Sequence, residues 1–482
     1  MVQAINPRTG SSFGPDFVDT SESEVKALVT KSLAAFELWS SASHGVRADL
    51  LDSVAAALDS RVVELVEIAD LETGLGVPRL TGEVGRTAFQ IREFAKAVRV
   101  GQFVNSEFDA AVEGAPPVGH SSFLRSLQPL GPVVVFGANN FPFAFSVLGG
   151  DTASALAAGC TVIAKAHPSH PQTSTKVYEI AANIFAAAGF ADVLTLIHGV
   201  QAGSQALTSD EVSAGAFTGS LKGGRALFDL AVGRKVPIPF YGELGSVNPV
   251  VALSSGLADP RAFAASYLDS LLLGNGQFCT KPSILFVPAD SSVLQEIADQ
   301  IKDRNSSPFL SPGTKSAHDA NRLGLAKILG TTPVEGMNDL GSGIYSPPAV
   351  IFTKIGATNS YRDALHIECF GPTGIVVSYS NIAELILEIN SLEGALTGSL
   401  FAAEVDEAVV TVAREIAKKV GRISWNSWPT GVAVSIGQQH GGPYPASTSP
   451  LHTSVGLHAI SRFLRPVSYQ NFPAKIATEL AL

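Results

Sequence analysis

A thiol, two carboxylates and an amide stand in settings that chemistry can use. Cys279 lies in LLLGNGQFCTKPS, residues 271–283, just past Gly274 and Gly276, and is one of three cysteines in 482 residues. A thiolate is a strong nucleophile where it is favoured and accessible. Glycines let backbone approach a reacting group, and backbone N–H groups beside the thiol can hold an oxyanion. Glu243, in YGELGSVNP, ends an apolar run before a glycine turn, and Glu368, in HIECFGP, precedes Phe-Gly-Pro. Asn140, in FGANNFPFAF, falls at the carboxyl end of a predicted strand, where open α/β sheets bind ligands. FTGSLKGG, residues 217–224, reads as strand, Gly-Ser turn and helix start, a geometry that receives phosphate without being a G-x-G-x-x-G motif. Each feature alone is weak. A single cysteine in apolar surroundings is more often an inert small hydrophobe, and a single glutamate a solvated or capping carboxylate.

The elements that must position these groups follow from periodicity. Residues 21–100 read as helices, with Val25, Leu28, Val29, Leu33 and Phe36 on one helical stripe. Ser21 is a predicted N-cap with Glu24 as its capping-box partner, and Gly74 is a predicted stop. Residues 119–130 suggest a projecting strand or hairpin. From 131 onward short apolar β runs alternate with helical stretches, the pattern of a doubly wound parallel sheet, and NPVVAL opens a second such series. NSSPFLSPGTKSAHDANR, residues 305–322, reads as a polar surface loop leading into a helix at 323–330. The predicted fold class is α/β, with two doubly wound parallel-sheet domains and a small β element.

Composition narrows the classes. The chain is 46% hydrophobic and 16% charged, enough to bury large cores. Lys plus Arg number 33 against 43 Asp plus Glu, a balance of −10, which argues against nucleic acid or an anionic membrane as partner. The longest apolar runs are too short to span a bilayer, and MVQAINPRTG lacks the features of a secretory signal. A cytoplasmic location is expected. Cys160, Cys279 and Cys369 are odd in number and widely spaced, so neither a disulfide framework nor a metal site is expected. Cys160 and Cys369 read as buried small hydrophobes.

Taken in order, NFP at 140–142, Lys165 after TVIA, FTGS at 217–220, ELG at 243–245, GQFC at 276–279 and ECFGP at 368–372 resemble the aldehyde dehydrogenase superfamily from about residue 20 to 475. KAHPSHP, ELGSVNP, GNGQFCTKP, PTGVAVS, HGGPYPAS and RFLRPVSYQN further resemble its alpha-ketoglutaric semialdehyde (2,5-dioxovalerate) subgroup. The resemblance implies oxidation of 2,5-dioxopentanoate to 2-oxoglutarate. Related NADP-dependent fatty-aldehyde enzymes share several stretches, so an aliphatic aldehyde is the alternative. Cys279 is then the nucleophile, Glu243 the base that activates water, and Asn140 an oxyanion donor. The dinucleotide is expected against Lys165, His167, Pro168 and Ser169, then Phe217, Thr218, Gly219, Ser220 and Gly224, then Leu244, Gly245, Glu368 and Phe370. Substrate-pocket positions by the same analogy are Phe143, Ser146, Phe278, Thr280, Trp428 and His440. No arginine falls in these segments, and Lys281 reads as an exposed lysine.

Two departures from the family pattern are informative. Ala138-Asn139 replaces the usual Pro-Trp, and KAHP at 165–168 puts Pro168 where NAD-preferring members carry a glutamate. Removing that charge and keeping Lys165 predicts that NADP is accepted and preferred, with NAD as an alternative. The resemblance also sets domain expectations: residues 1–118 and 131–245 for cofactor, 246–445 for catalysis, 119–130 and 465–482 as oligomerisation strands, and 446–464 as a return segment. A homodimer, sometimes paired into a tetramer, is expected. Two rival classes are a catalytically silent binding or structural member and an acylating enzyme that passes the acyl group to coenzyme A. Retention of Cys279, Glu243 and Asn140 argues against the first, and Glu243 against the second.

Overall fold

The computed structural model describes residues 1–103, 106–245, 247–337 and 343–480. Two mainly parallel sheets organise it, as the strand–helix alternation predicts. The first is all parallel, in the order Leu194–Ile197, Val162–Lys165, Val133–Phe136, Ala214–Thr218, Phe240–Glu243. The chain builds to one side of Val133–Phe136 and then crosses to the other, so strand order reverses between Val133–Phe136 and Ala214–Thr218. Ligand crevices in such sheets open at the carboxyl ends beside that reversal. There the sequence delivers Asn139 and Asn140 from one strand, and Gly219 and Ser220 from the other.

These strands are buried along their length, which is why VVVF and VIAK are apolar on both faces. The N-terminal helices cover one face: Trp39, Leu51, Leu80 and Phe94 share a core with Val133, Val135 and Val162. Ser21 and Glu24 form the expected capping box, and Gly74, at φ 64°, closes the helix Val62–Thr73.

The second sheet runs Val334–Glu335, Ala349–Lys354, Thr373–Tyr379, Pro282–Pro288, Asn248–Ala252, Ala395–Phe401, Val420–Trp425, parallel except for its first pair. Alternate residues enter opposite cores, Val251, Ile284 and Phe286 on one side, Val250, Leu285 and Val287 on the other. The three-residue stretch ending at Lys281 carries Cys279 to the amino end of Pro282–Pro288. Glu368 likewise precedes Thr373–Tyr379.

A third, antiparallel sheet joins Leu464–Gln470, Phe123–Pro129 and Glu107–Asp109. Its first two strands fall where the sequence suggests projecting strands; Glu107–Asp109 is an unanticipated third. The expected surface loop at 305–322 is corrected by the structure. The helix Pro312–Leu329 begins inside it, with Ser311 Oγ accepting from the Thr314 N–H at 3.1 Å and proline in the first turn. Only His318, Leu325 and Leu329 of this helix are buried, so no apolar stripe announces it.

Candidate active site

A cleft of about 320 Å³ lies between the carboxyl ends of the first sheet and the amino ends of the second. Cys279, Glu243, Asn140, Thr218, Gly219, Ser220, Leu244, Gly245, Glu368, Phe370 and His440 all line it. The helix Pro312–Leu329 adds Gly313, Thr314, Ala317, His318 and Asn321, a wall that the sequence reading missed.

The thiol is presented by an unusual turn. Gly274, Asn275 and Gly276 are left-handed, at φ 56°, 60° and 64°, and a Cβ on Gly276 would sit 2.1 Å from the Gly371 carbonyl oxygen. Only glycine meets both demands at 276. The following residues are pinned from several directions. Gln277 Oε1 accepts from the Leu310 N–H at 3.0 Å, and Asn248 Nδ2 donates to the carbonyls of Cys279 (2.7 Å) and Lys281 (2.9 Å). Thr280 Oγ1 donates to the Thr430 carbonyl.

Lys281 corrects the sequence expectation of an exposed side chain. It is 2% exposed, and its Nζ donates to the carbonyls of Cys369, Gly371 and Thr373. An ammonium has three protons to give, so all are spent tying the Cys279 loop to the Glu368 loop.

Electrostatics set the resting protonation of the site. The Cys279 thiol is pushed up to about 12, first by loss of water around it and then by the Glu243 and Glu368 carboxylates, with Arg86 pulling the other way. Its Sγ lies 3.6 Å from His440 Nε2. Burial, aided by Arg422 and Arg86, drives His440 down to about 3, so that imidazole is neutral near pH 7. Glu243 is 7% exposed, and its Oε2 has no hydrogen-bond partner among the described residues. Burial raises its carboxyl well above the usual range; Asp151 adds to this and Arg462 opposes it.

Asn140 Nδ2 donates to the Gln277 carbonyl at 3.0 Å, which uses one of its two protons. Its backbone is gripped by the helix Val77–Arg99. Arg79 Nη2 donates to the Asn140 carbonyl at 2.7 Å, and Glu83 Oε1 accepts from the N–H groups of Phe143 (2.9 Å) and Ala144 (3.0 Å). Arg79, Glu83 and Arg86 follow at helical spacing, so one face reaches this segment.

The expected cofactor residues fit a nucleotide carrying a diphosphate. Ser220 caps the helix Leu221–Val232, its Oγ accepting from the Gly223 N–H at 3.3 Å, at the end of a strand beside the reversal of strand order. A Cβ on Gly224 would lie 2.0 Å from Leu244 Cδ2, and one on Gly245 would lie 2.2 Å from Glu368 Oε2, so a side chain at either position would displace Leu244 or Glu368. Phe217 packs beneath this turn against Phe136. Lys165 and Pro168 line a second cavity of about 330 Å³ with Asp19 and His198. Burial pushes Lys165 down to about 8, with Asp19 opposing. Asp19 is a carboxylate that the sequence reading did not bring here. His167 and Ser169 do not line this cavity; the Ser169 N–H donates to His167 Nδ1 at 3.1 Å.

The expected substrate-pocket positions divide. His440 is brought to the thiol, and Phe278 stands one residue from it. Phe143 and Ser146 are each 1% exposed and turn inward, Phe143 into the core beneath the first sheet. Trp428 packs on Phe263, Tyr267 and Phe401, and Thr280 is spent on Thr430. Three partly exposed rings, Phe141, Phe145 and Phe278, form a chain of contacts that ends on His440. Phe141 contacts Phe278 at 5.1 Å and Phe145 at 5.2 Å, and Phe145 reaches His440 at 6.0 Å. The segment after Asn140 turns helically, with the Phe145 N–H on the Phe141 carbonyl, so positions 141 and 145 share a face that 143 leaves.

Comparisons with known proteins give the relatives of this chain. The model of the aldehyde dehydrogenase family matches residues 1–466. Alpha-ketoglutaric semialdehyde dehydrogenase 2 of Azospirillum brasilense is 37% identical over 491 residues, covering 99% of this chain and 93% of its own. Alpha-ketoglutaric semialdehyde dehydrogenase of Acinetobacter baylyi is 35% identical over 485 residues, covering 98% and 90%. Among solved structures, PnpE of Pseudomonas sp. WBC-3, in complex with nicotinamide adenine dinucleotide, superposes with a TM-score of 0.82 at 22% identity, covering 97% of this chain and 93% of that one. A match running nearly end to end, in sequence and in fold, makes this chain a member of the aldehyde dehydrogenase family.

Proposed function

We propose that the chain oxidises 2,5-dioxopentanoate, alpha-ketoglutaric semialdehyde, to 2-oxoglutarate through a thioester on Cys279. The observation that carries this is the convergence of Cys279, Glu243 and Asn140 on one cleft, beside a capped helix start that suits a diphosphate. Cys279 Sγ adds to the aldehyde carbon as its proton leaves. The oxygen that becomes negative meets the second Asn140 amide proton and the backbone N–H beside the thiol. A nicotinamide dinucleotide held at Ser220, Gly245 and Glu368 would supply the hydride acceptor for this carbon. Glu243 takes a proton from the water that hydrolyses the Cys279 thioester, and the acid is released with the thiol restored. Glu368, opposite Gly245, would accept from ribose hydroxyls.

The names of the two relatives support the semialdehyde as substrate. Lys165, with Pro168 in place of a carboxylate, supports use of NADP, whereas Asp19 in the same cavity draws the balance back toward NAD. The proposed outcome is that both cofactors work and NADP works better. The test is a panel of 2,5-dioxopentanoate, succinic semialdehyde, hexanal and decanal with each cofactor. A kcat/KM highest for the semialdehydes and for NADP is expected. Preference for decanal, or a tenfold preference for NAD, contradicts the corresponding part.

A further inference from the structure

Substrates of the proposed class carry a carboxylate at the end remote from the aldehyde, and the pocket segments expected from the sequence hold no arginine to receive it. A buried or half-buried carboxylate needs a paired donor, since leaving such a charge unpaired costs several kcal/mol. The basic groups around Cys279 are therefore worth sorting by whether their donors are already spent.

Lys281 is spent, with its three protons on three carbonyls. Arg422 is spent on the carbonyls of Pro429 and Gly431 and on Thr397 Oγ1. Arg79 gives Nη2 to the Asn140 carbonyl, and its plane lies over Phe141 (5.0 Å) and Phe278 (4.8 Å). Its Nη1 is also buried with no partner among the described residues, but it is packed against the Cys279 turn, where a Cβ on Gly274 would lie 2.4 Å from it.

Arg86 differs. Its guanidinium carbon stands 5.1 Å from the Phe145 ring, and that ring contacts His440, which touches the thiol. One long hydrogen bond, Nη2 to the Val432 carbonyl at 3.4 Å, holds it, while Nη1 is buried with no partner among the described residues. Glu83, one turn back on the same helix, accepts from the N–H groups of Phe143 and Ala144 and attracts Arg86 through space, with no hydrogen bond between the two among the described residues. The positive charge of Arg86 also bears on both Cys279 and His440.

Resting on the aldehyde-acid reading above, we propose that Arg86 is the group that selects acidic aldehydes, its Nη1 donating to the remote carboxylate while Phe145 and Phe141 flank the carbon chain between that end and Cys279. The three rings without Arg86 would suit an aliphatic aldehyde; Arg86 is what turns this wall toward an acid.

The test compares wild type, Arg86→Gln and Arg86→Lys, with 2,5-dioxopentanoate and pentanal as acidic and neutral substrates of equal carbon number. Inhibition by glutarate is measured in the same proteins. In Arg86→Gln the acidic-to-neutral ratio of kcat/KM is expected to fall ten- to a hundredfold, through KM, with a similar weakening of glutarate inhibition. Arg86→Lys, which keeps charge but not the fork, should recover part of the ratio. A ratio that holds in Arg86→Gln while wild type prefers the acid overturns the role of Arg86 alone. Equal losses on both substrates also overturn it and leave Arg86 a structural residue. A wild type that does not prefer the acid overturns the aldehyde-acid reading and this assignment with it.

Discussion

Cys279 and Glu243 owe their resting state to one cause, the loss of water around both groups. Burial raises the thiol to about 12 and the Glu243 carboxyl well above its usual range, and the nearby carboxylates add to the shift on the thiol. Both reactive forms are the deprotonated ones, so the sign is fixed: rate rises with pH. Thioester hydrolysis, followed after a single rapid turnover, should show an acidic limb displaced above the ordinary carboxylate range of about 4 to 4.5. Glu243→Gln should remove that limb and slow hydrolysis about 10²- to 10⁴-fold. A limb at an ordinary carboxylate pKa that survives in Glu243→Gln would assign the base elsewhere. Cys279, Glu243, Asn140, Ser220 and Glu368 entered the sequence reading because each adjoins a strand end or a glycine turn and because their stretches, taken in order, resemble the aldehyde dehydrogenase family. Arg79, Glu83 and Arg86 did not. Charged residues on a helix normally read as a solvated face, and only contact with residues some 60 positions later turns them inward.

At the scale of elements, the site is a junction of loops locked from below. The Cys279 loop and the Glu368 loop are far apart in sequence, and Lys281 bridges them with its three hydrogen bonds. Lys281→Met would leave three carbonyls short of a donor, at about 1–3 kcal/mol for each one that stays buried and unsatisfied. It is expected to lower stability by about 3 kcal/mol or more in urea unfolding and to depress turnover. A variant as stable as wild type would mean that the bridge holds nothing. The exposed lysine expected from sequence failed for a physical reason: burial of Lys281 depends on carbonyl oxygens that only the fold delivers. The helix Pro312–Leu329 was hidden in a similar way, because just three of its residues face a core. Its one local sign was the Ser311-Pro312 start.

At the scale of the molecule, the carboxyl ends of one mainly parallel sheet oppose the amino ends of another, and the cleft lies between. That architecture was legible because buried parallel strands read as apolar runs between helices. The division into cofactor and catalytic parts near residue 245 is proposed on the same pattern. The antiparallel sheet of Leu464–Gln470, Phe123–Pro129 and Glu107–Asp109 leaves strand edges that another copy can extend, so we propose a homodimer built on it. Sedimentation should give a species of at least two chains, and single chains at micromolar concentration would contradict this. The central claim is covalent, and mass spectrometry of Glu243→Gln quenched after mixing with aldehyde and NADP reads it directly. An acyl adduct on the peptide containing Cys279, absent from Cys279→Ala, is the predicted result. Turnover by Cys279→Ala, or an adduct on any other residue, would contradict the account.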